Sequence, residues 1–331
     1  MEKYNPEWQG RGFDICNVSV AKPFIAKGGK QQFRVSATAN WAEERAHVQV
    51  WSVTPEGKKI IDHATCTIKF FDTAAAELEW KRHIYLIQRS IQQLQESTET
   101  GQAHRMKRGM VYKLFAALVE YDDNFKSMQE VILDSDQHEA TALVKFAAPS
   151  GNFHRNPFWI DSIGHLSGFI MNASDTTDSK NQVFVNHGWD SMRCLKKFDP
   201  SVTYRTYVRM QPWQNSIWAG DVYMFNGDEL IAVFGGVKVS DVNLIQHSSS
   251  ATNTEPYSSK PWQGRSWTLS FLLLALQLPS LLPRLNPHLL IPKRRSLVLR
   301  RRLHRPNPRD LALQCARLES SPRKWDFPHL R

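Results

Sequence analysis

Cysteine is scarce and scattered: Cys16, Cys66, Cys194 and Cys315 form no CxxC pair. That excludes a zinc ribbon or a disulfide framework and leaves free or buried thiols in a reducing compartment. No HxxxH, HExxH, GxSxG or GxGxxG run stands in supporting flanks, so metalloprotease, serine-hydrolase and dinucleotide readings fall away. No metal site and no cofactor is implied. The N-terminal stretch MEKYNPEWQGRGFD lacks the apolar centre of a signal peptide, so a cytoplasmic location is expected. Nor is there an uninterrupted membrane-length apolar run, because Pro279, Pro283, Pro287 and Pro292 break the leucine-rich segment near the C-terminus. Leucines lying on lipid with arginines at headgroups form the weaker alternative for that segment, and no membrane partner is expected.

The body of the chain also lacks net charge. Residues 264–331 carry fourteen Lys or Arg against three Asp or Glu, a net +11, while the whole 331-residue chain is +10. The preceding residues therefore sum to about −1, and a nucleic-acid partner is not indicated for the folded part.

Elements can be placed along the body. Residues 31–71 read as a β-meander, with Phe33, Val35 and Ala37, then Val48 and Val50, then Cys66, Ile68 and Phe70 alternating with polar residues around a turn at 55–57. Trp80, Ile84, Ile87, Ile91 and Leu94 step at helical spacing, which predicts one long amphipathic helix ending in the polar linker STETGQ. A short helix over 111–119, strands at 128–133 and 140–146, and a helix opening at Asn156 and Pro157 follow. Strands resume around Thr206, Val208 and Met210, and Asn226-Gly227 marks a hairpin. Two glycines in FGGVKV (234–239) suggest a bulge rather than a phosphate loop. Without βαβ alternation, a curled antiparallel sheet wrapped on one apolar helix fits best, an α+β architecture. From about Gln246 a Ser/Thr/Pro linker leads into an Arg/Leu/Pro/Ser tail, expected to be disordered; its abrupt bias is what a shifted reading frame produces.

Chemistry concentrates on the helix that begins after Asn156. Asp161 and His165 are i and i+4 on one face among core-type residues, where an unpaired charge would be costly. Gly164 and Gly168 lie on the adjoining stripe, where a backbone or a slender ligand could approach closely. The residues alone leave two readings open, a structural pair bracing nearby strands and a catalytic acid and base. His187 reads as a loop residue and His83 as a solvated helix residue.

Four runs, MVYKLFAALVEYDDNFKSMQEVI, NPFWIDSIGHLSGFIMN, HGWDSMR and GDVYMFNGDELIAVFGGVKV, resemble the product template domain of fungal non-reducing polyketide synthases from about Asp14 to Val239. The resemblance implies a dehydratase-like double hot dog whose pocket receives a poly-β-keto chain on an acyl carrier protein and directs aldol cyclisation and aromatisation. It implies a His–Asp dyad in which Asp161 is the orienting carboxylate and His165 the accompanying residue one turn later, with Asn186, Gly164 and Gly168 as pocket contacts. The family's dyad histidine lies in an upstream segment, before the first half's central helix; here no histidine precedes His47, and His47 and His63 lack that context.

On this reading residues 1–98 are a remnant of the N-terminal hot dog plus a connecting helix, 99–245 the C-terminal hot dog, and 246–331 the linker and tail. The first hot dog is incomplete, its strands are expected to expose an apolar face, and Asp161 is expected to lack a histidine to orient. A truncated, catalytically silent polyketide-pathway protein is the leading expectation. A trans-acting cyclase or dehydratase with His165 or His187 as base is one alternative. The other is an interaction module that docks on an intact synthase or self-associates through the incomplete half. Motif wording leans toward orsellinate-type acids feeding meroterpenoids.

Overall fold

In a computed structural model the described residues are 11–22, 31–40, 42–116, 119–151, 155–178, 182–243 and 297–299. The meander is present as β2 (Gln32–Asn40), β3 (Arg45–Val53) and β4 (Lys59–Asp72), preceded by β1 (Arg11–Val20), which pairs antiparallel with β4. Asp72 then caps α1 (Thr73–Lys81), its Oδ1 accepting the amides of Ala74 at 2.8 Å and Ala75 at 3.1 Å.

The single long helix predicted around Trp80 to Leu94 is two, α1 and α2 (Ile84–Thr100), broken at Arg82 and His83. No proline or glycine marks the break, and both pieces send apolar residues into one cluster, Ala76 and Trp80 from α1 and Ile87 and Ile91 from α2. Nor is STETGQ a linker at its start. Helix α2 runs through Thr100, with Ser97, Thr98 and Thr100 hydroxyls donating back to carbonyls of Gln93, Gln95 and Ser97. Gly101, at φ +79°, closes it.

Next come β5 (His104–Lys107), α3 (Arg108–Phe115), a 3-10 turn (Asp123–Phe125), β6 (Met128–Asp134), β7 (Glu139–Val144) and α4 (Pro157–Ala173). Helix α4 begins where the sequence places it, with Asn156 Oδ1 accepting the Phe158 amide at 2.9 Å. The polar stretch after it is strand rather than loop. β8 (Gln182–Trp189) contains His187, and β9 (Ser191–Cys194) follows, each paired with the long strand β13 (Glu229–Asn243). β10 (Tyr204–Arg209), β11 (Gln211–Pro212) and β12 (Ile217–Asn226) complete this half. The β12–β13 hairpin turns on Gly227 and Asp228, one residue later than predicted, with Gly227 at φ +58°. The expected bulge near Gly235 and Gly236 appears as register shifts where β13 pairs with β12 and β8.

The strands form one continuous sheet in the order β2, β3, β4, β1, β8, β13, β12, β10, β7, β6, β5. Of the tail, the described residues 297–299 form β14 (Leu297–Leu299) beside β2; the expected disorder otherwise lies outside the described residues. Helix α4 packs on one face, against β7, β8, β10, β12 and β13, and Ile160, Ile163, Leu166, Phe169 and Ile170 are wholly buried there. At roughly 1.5–3 kcal/mol per fully buried large apolar side chain, these five contribute on the order of 10 kcal/mol as an upper figure, enough to fix the helix in the sheet. The other face carries α1 and α2 on Tyr207, Phe225, Leu230 and Val233.

The first half has no helix on its inner face among the described residues. Its apolar face is nevertheless not open. Val35, Val48, Val50, Ala64, Cys66 and Ile68 are buried and belong to the same apolar cluster as the α4 residues, joined through Ile15, Val18 and Trp189. The sheet runs on through β1 and β8, and the two halves share this one apolar cluster.

That junction is narrow. Val18 and Ser19 pair with Trp189 and Gly188, Trp189 Nε1 donates to the Ile15 carbonyl at 2.9 Å, and buried Asp14 accepts the Met192 amide at 2.8 Å and the Ser191 hydroxyl at 3.0 Å. Gly188 sits at φ +134°, and a Cβ there would stand 1.9 Å from the Val18 carbonyl oxygen. Gly188→Ala is therefore expected to cost more than about 3 kcal/mol, lowering the urea midpoint sharply or abolishing soluble protein; an unchanged midpoint would refute this account of the junction. At the far edge, Glu130 on β6 receives Arg105 at 2.7 Å and Lys107 at 2.5 Å from β5, and the Lys107 hydrogen bond chiefly holds its carboxyl below the usual range. A depressed folded value stabilises above the unfolded carboxyl pKa and fades as pH falls through the folded one. Glu130→Gln should cost about 1 kcal/mol at neutral pH, with the difference closing below about pH 4; urea melts across pH check it, and a gap that widens in acid would contradict it.

Candidate functional site

Helix α4 is apolar nearly all round, and its partly exposed positions other than the terminal Ala173 form one line: Asp161, Gly164, Gly168 and Asn172, stepping by three, four and four. A Cβ built on Gly164 or Gly168 meets nothing within 4 Å, so no backbone approaches these glycines and the space beside them is open. Asn172 ends the line and ties the helix to β8, its side chain accepting the Phe184 amide at 2.9 Å and donating to the Phe184 carbonyl at 3.0 Å.

At the other end stand the two candidate residues, in direct contact. His165 Nε2 lies 3.0 Å from Asp161 Oδ2, with the imidazole side chain only 3% exposed and the carboxylate 13%. The i, i+4 spacing thus gives Asp161 a histidine neighbour on its own helix, in the accompanying position one turn later and distinct from the upstream dyad histidine that the resemblance implies. The acid faces the open line and the imidazole lies behind it. The described residues give Asp161 one hydrogen bond, that to His165, and its side chain stays partly exposed.

The pocket behind Asp161 is aromatic. The Tyr121 ring centroid is 4.1 Å from that of His165, Phe115 lies at 5.8 Å and Tyr112 at 6.1 Å. The Tyr112 hydroxyl is also 3.4 Å from His165 Nδ1. Burial pushes the Tyr112 phenol well up; burial, then the nearby Asp161 carboxylate, does the same to Tyr121, so both stay neutral hydroxyls. Ser162, on the same helix, reaches the Phe125 carbonyl at 2.9 Å and receives Ser127 at 2.8 Å. These residues were not singled out by sequence. Tyr112 and Tyr121 flank an ordinary-looking amphipathic segment, and their one signal is hydroxyls within an otherwise core-type pattern.

The remaining candidates lie elsewhere. Asn186 is in β8, where its Oδ1 accepts the Gly188 amide at 2.8 Å and helps shape the junction of the halves. No hydrogen bond joins it to the Asp161–His165 pair among the described residues. His187 contacts the Ser240 hydroxyl across the β8–β13 pair and is not part of the site. His83 is exposed, as expected, and His63 is buried with its Nδ1 3.0 Å from the Lys22 carbonyl. Among the described residues no group of three His, Cys, Asp or Glu could hold a metal ion, and no helix is long and apolar enough to cross a membrane.

No family model matches the chain. It is 82% identical over 238 residues to the conidial yellow pigment biosynthesis polyketide synthase melA of Penicillium expansum, a match covering 72% of this chain and 11% of that protein. It is 73% identical over 238 residues to the non-reducing polyketide synthase albA of Aspergillus niger, with 72% and 11% covered. The conidial yellow pigment synthase of Emericella nidulans is 66% identical over 266 residues, with 78% and 12% covered. The chain thus spans 11–12% of the length of these relatives. Two of their names speak of conidial pigment, and none of meroterpenoids.

Among solved structures, the dehydratase domain of the CurF module of curacin polyketide synthase matches with a TM-score of 0.52 at 9% identity, covering 70% of this chain and 77% of that one. The dehydratase domain of RzxB from Pseudomonas fluorescens matches at 0.51 and 13% identity, covering 70% and 76%. Over 238 residues, then, the chain matches a segment of the fungal non-reducing polyketide synthases, and its fold is the double hot dog of polyketide synthase dehydratase domains.

Proposed function

We propose that this chain orients a carrier-bound poly-β-keto chain for aldol cyclisation, with Asp161 as the carboxylate that meets the reacting face. One observation carries the reading: Asp161 sets one oxygen on a buried imidazole and stands, partly exposed, on the same helix line as the uncrowded Gly164 and Gly168. A flexible polyketone has many competing ring closures, and a surface that fixes its bends selects among them by proximity. The bare backbone at Gly164 and Gly168 leaves room for a slender chain, and the carboxylate at the end of the line can accept a hydrogen bond from an enol. In this reading the site works on substrate delivered by an acyl carrier protein.

Proton removal from a carbon between two carbonyls is the other half of the chemistry. General-base efficiency peaks when the base's pKa lies near the working pH, the range in which an imidazole serves. His165 cannot take the part directly, since it is buried behind Asp161 with its Nε2 already engaged. The chain by itself therefore orients more than it deprotonates, and an imidazole reaching Asp161 Oδ1 would complete the pair.

Two arms test this. Purified chain added to a carrier-bound poly-β-keto thioester should leave the rate of proton removal and ring closure close to that of the uncatalysed reaction. The matching segment of a pigment synthase, replaced by residues 11–243 of this chain, should still give the templated product, and Asp161→Ala in that hybrid should lower it about a hundredfold. A hybrid indifferent to Asp161→Ala would overturn the reading. A rate of ring closure raised by the isolated chain and lost on Asp161→Ala would mean that the chain carries its own base.

A further inference from the structure

Behind Asp161 the structure holds a run of hydroxyl groups whose protons have more than one place to go. The Tyr112 hydroxyl accepts the Met128 amide at 3.1 Å, and its single proton can be given to the Phe125 carbonyl at 3.3 Å or to His165 Nδ1 at 3.4 Å. The Phe125 carbonyl is also within 2.9 Å of Ser162 Oγ, whose proton can go instead to the Phe158 carbonyl at 2.7 Å. Ser127 donates to Ser162 at 2.8 Å and leaves it no second acceptor to serve.

Two settings satisfy every member. In one, Ser162 donates to Phe158 and Tyr112 to Phe125, so the phenol oxygen turns a lone pair to Nδ1 and suits an imidazole protonated there. In the other, Ser162 donates to Phe125 and Tyr112 to Nδ1, which suits the neutral ring. In both, Nε2–H stays on Asp161. We propose that Tyr112 is a positioning residue whose hydroxyl turns between these settings, allowing His165 to hold or release a proton on Nδ1 without leaving a buried polar atom unpaired.

The surroundings leave this choice to the hydroxyl. The titratable groups facing the imidazole are Asp161 on its own helix, Tyr112 on α3 and Tyr121 before the 3-10 turn. Phe115 adds only an aromatic face, and the strands packed on α4 bury apolar residues there, among them Ala140, Val144, Val208 and Met224, together with the hydroxyls of Tyr204 and Thr206 on β10. A protonated His165 beside Asp161 makes the carboxylate a weaker base and a neutral one makes it stronger, so the Tyr112 setting governs how readily Asp161 takes a proton. That consequence for the reaction rests on the proposed function; the proton placement does not.

The test needs no substrate. Ring nitrogen shifts of His165, read by NMR in the full chain at a fixed pH near its midpoint, report the ratio of Nδ1-protonated to neutral ring. Tyr112→Phe removes the acceptor of the charged form and should lower that ratio about fivefold, because charged hydrogen bonds are the stronger. Ser162→Ala frees the Phe125 carbonyl for Tyr112 and should raise it. Shifts of opposite sign are the expected result; equal ratios, or shifts in the same direction, overturn the proposal. Should Tyr112→Phe fail to fold for want of a partner on the Met128 amide, Ser162→Ala decides alone: a rise supports the switch and no change overturns it. Neither outcome depends on whether the chain cyclises a polyketide.

Discussion

Much of this molecule turns on one hydrogen bond within one turn of one helix, from His165 to Asp161. Helix α4 is otherwise a core element, and an unpaired imidazolium or carboxylate at that depth would cost several kcal/mol. The wholly buried apolar residues around the pair, from Ile160 to Ile170, contribute on the order of 10 kcal/mol, more than that cost, so the helix can carry polar groups and still be fixed in the sheet. The pair also sets what must lie near it. Tyr112, Ser162 and Ser127 satisfy the atoms that it and its neighbours leave open, and in doing so bind α3, the 3-10 turn and the start of β6 to α4. A polar network of this kind either satisfies all its members or destabilises the core, which ties the chemistry of the site to its rigidity.

The sheet serves two purposes at once. Its outer face is occupied by α1 and α2, and its inner face by α4, so the open line from Asp161 to Asn172 is what remains accessible on the central helix. Strand β8 borders that line through Phe184, and a few residues later joins the first half at Gly188 and Trp189. The same strand therefore holds one end of the site and the seam between the two halves. Asn186 lies between those points, shaping the turn of the chain into Gly188.

Local chemistry made part of this legible in the sequence. Asn156 and Pro157 announce α4, the i, i+4 spacing puts Asp161 beside His165, and Gly227 marks the hairpin, because caps, helical stripes and positive-φ turns are written within a few residues. Other features depend on partners distant in the chain. Strand β8 reads as a polar loop because its pairing partners, β13 and β1, lie far away in sequence. The break at Arg82 has no proline or glycine to betray it. Tyr112 precedes His165 by 53 residues, so nothing nearby distinguishes it from any other aromatic on an amphipathic helix. The burial of the first half's apolar face was missed for a related reason: a core shared across a seam cannot be seen by asking what each half covers alone.

The account is tested most directly by a crystal structure of the chain with a non-cyclising carrier-like thioester of a 1,3-dicarbonyl chain. An enol or carbonyl oxygen within hydrogen-bond distance of Asp161 Oδ1, with the chain running past Gly164 and Gly168 toward Asn172, is the predicted result. A ligand seated on the outer face by α1 and α2, or a site in which Asp161 is covered and its Oδ1 untouched, would contradict it.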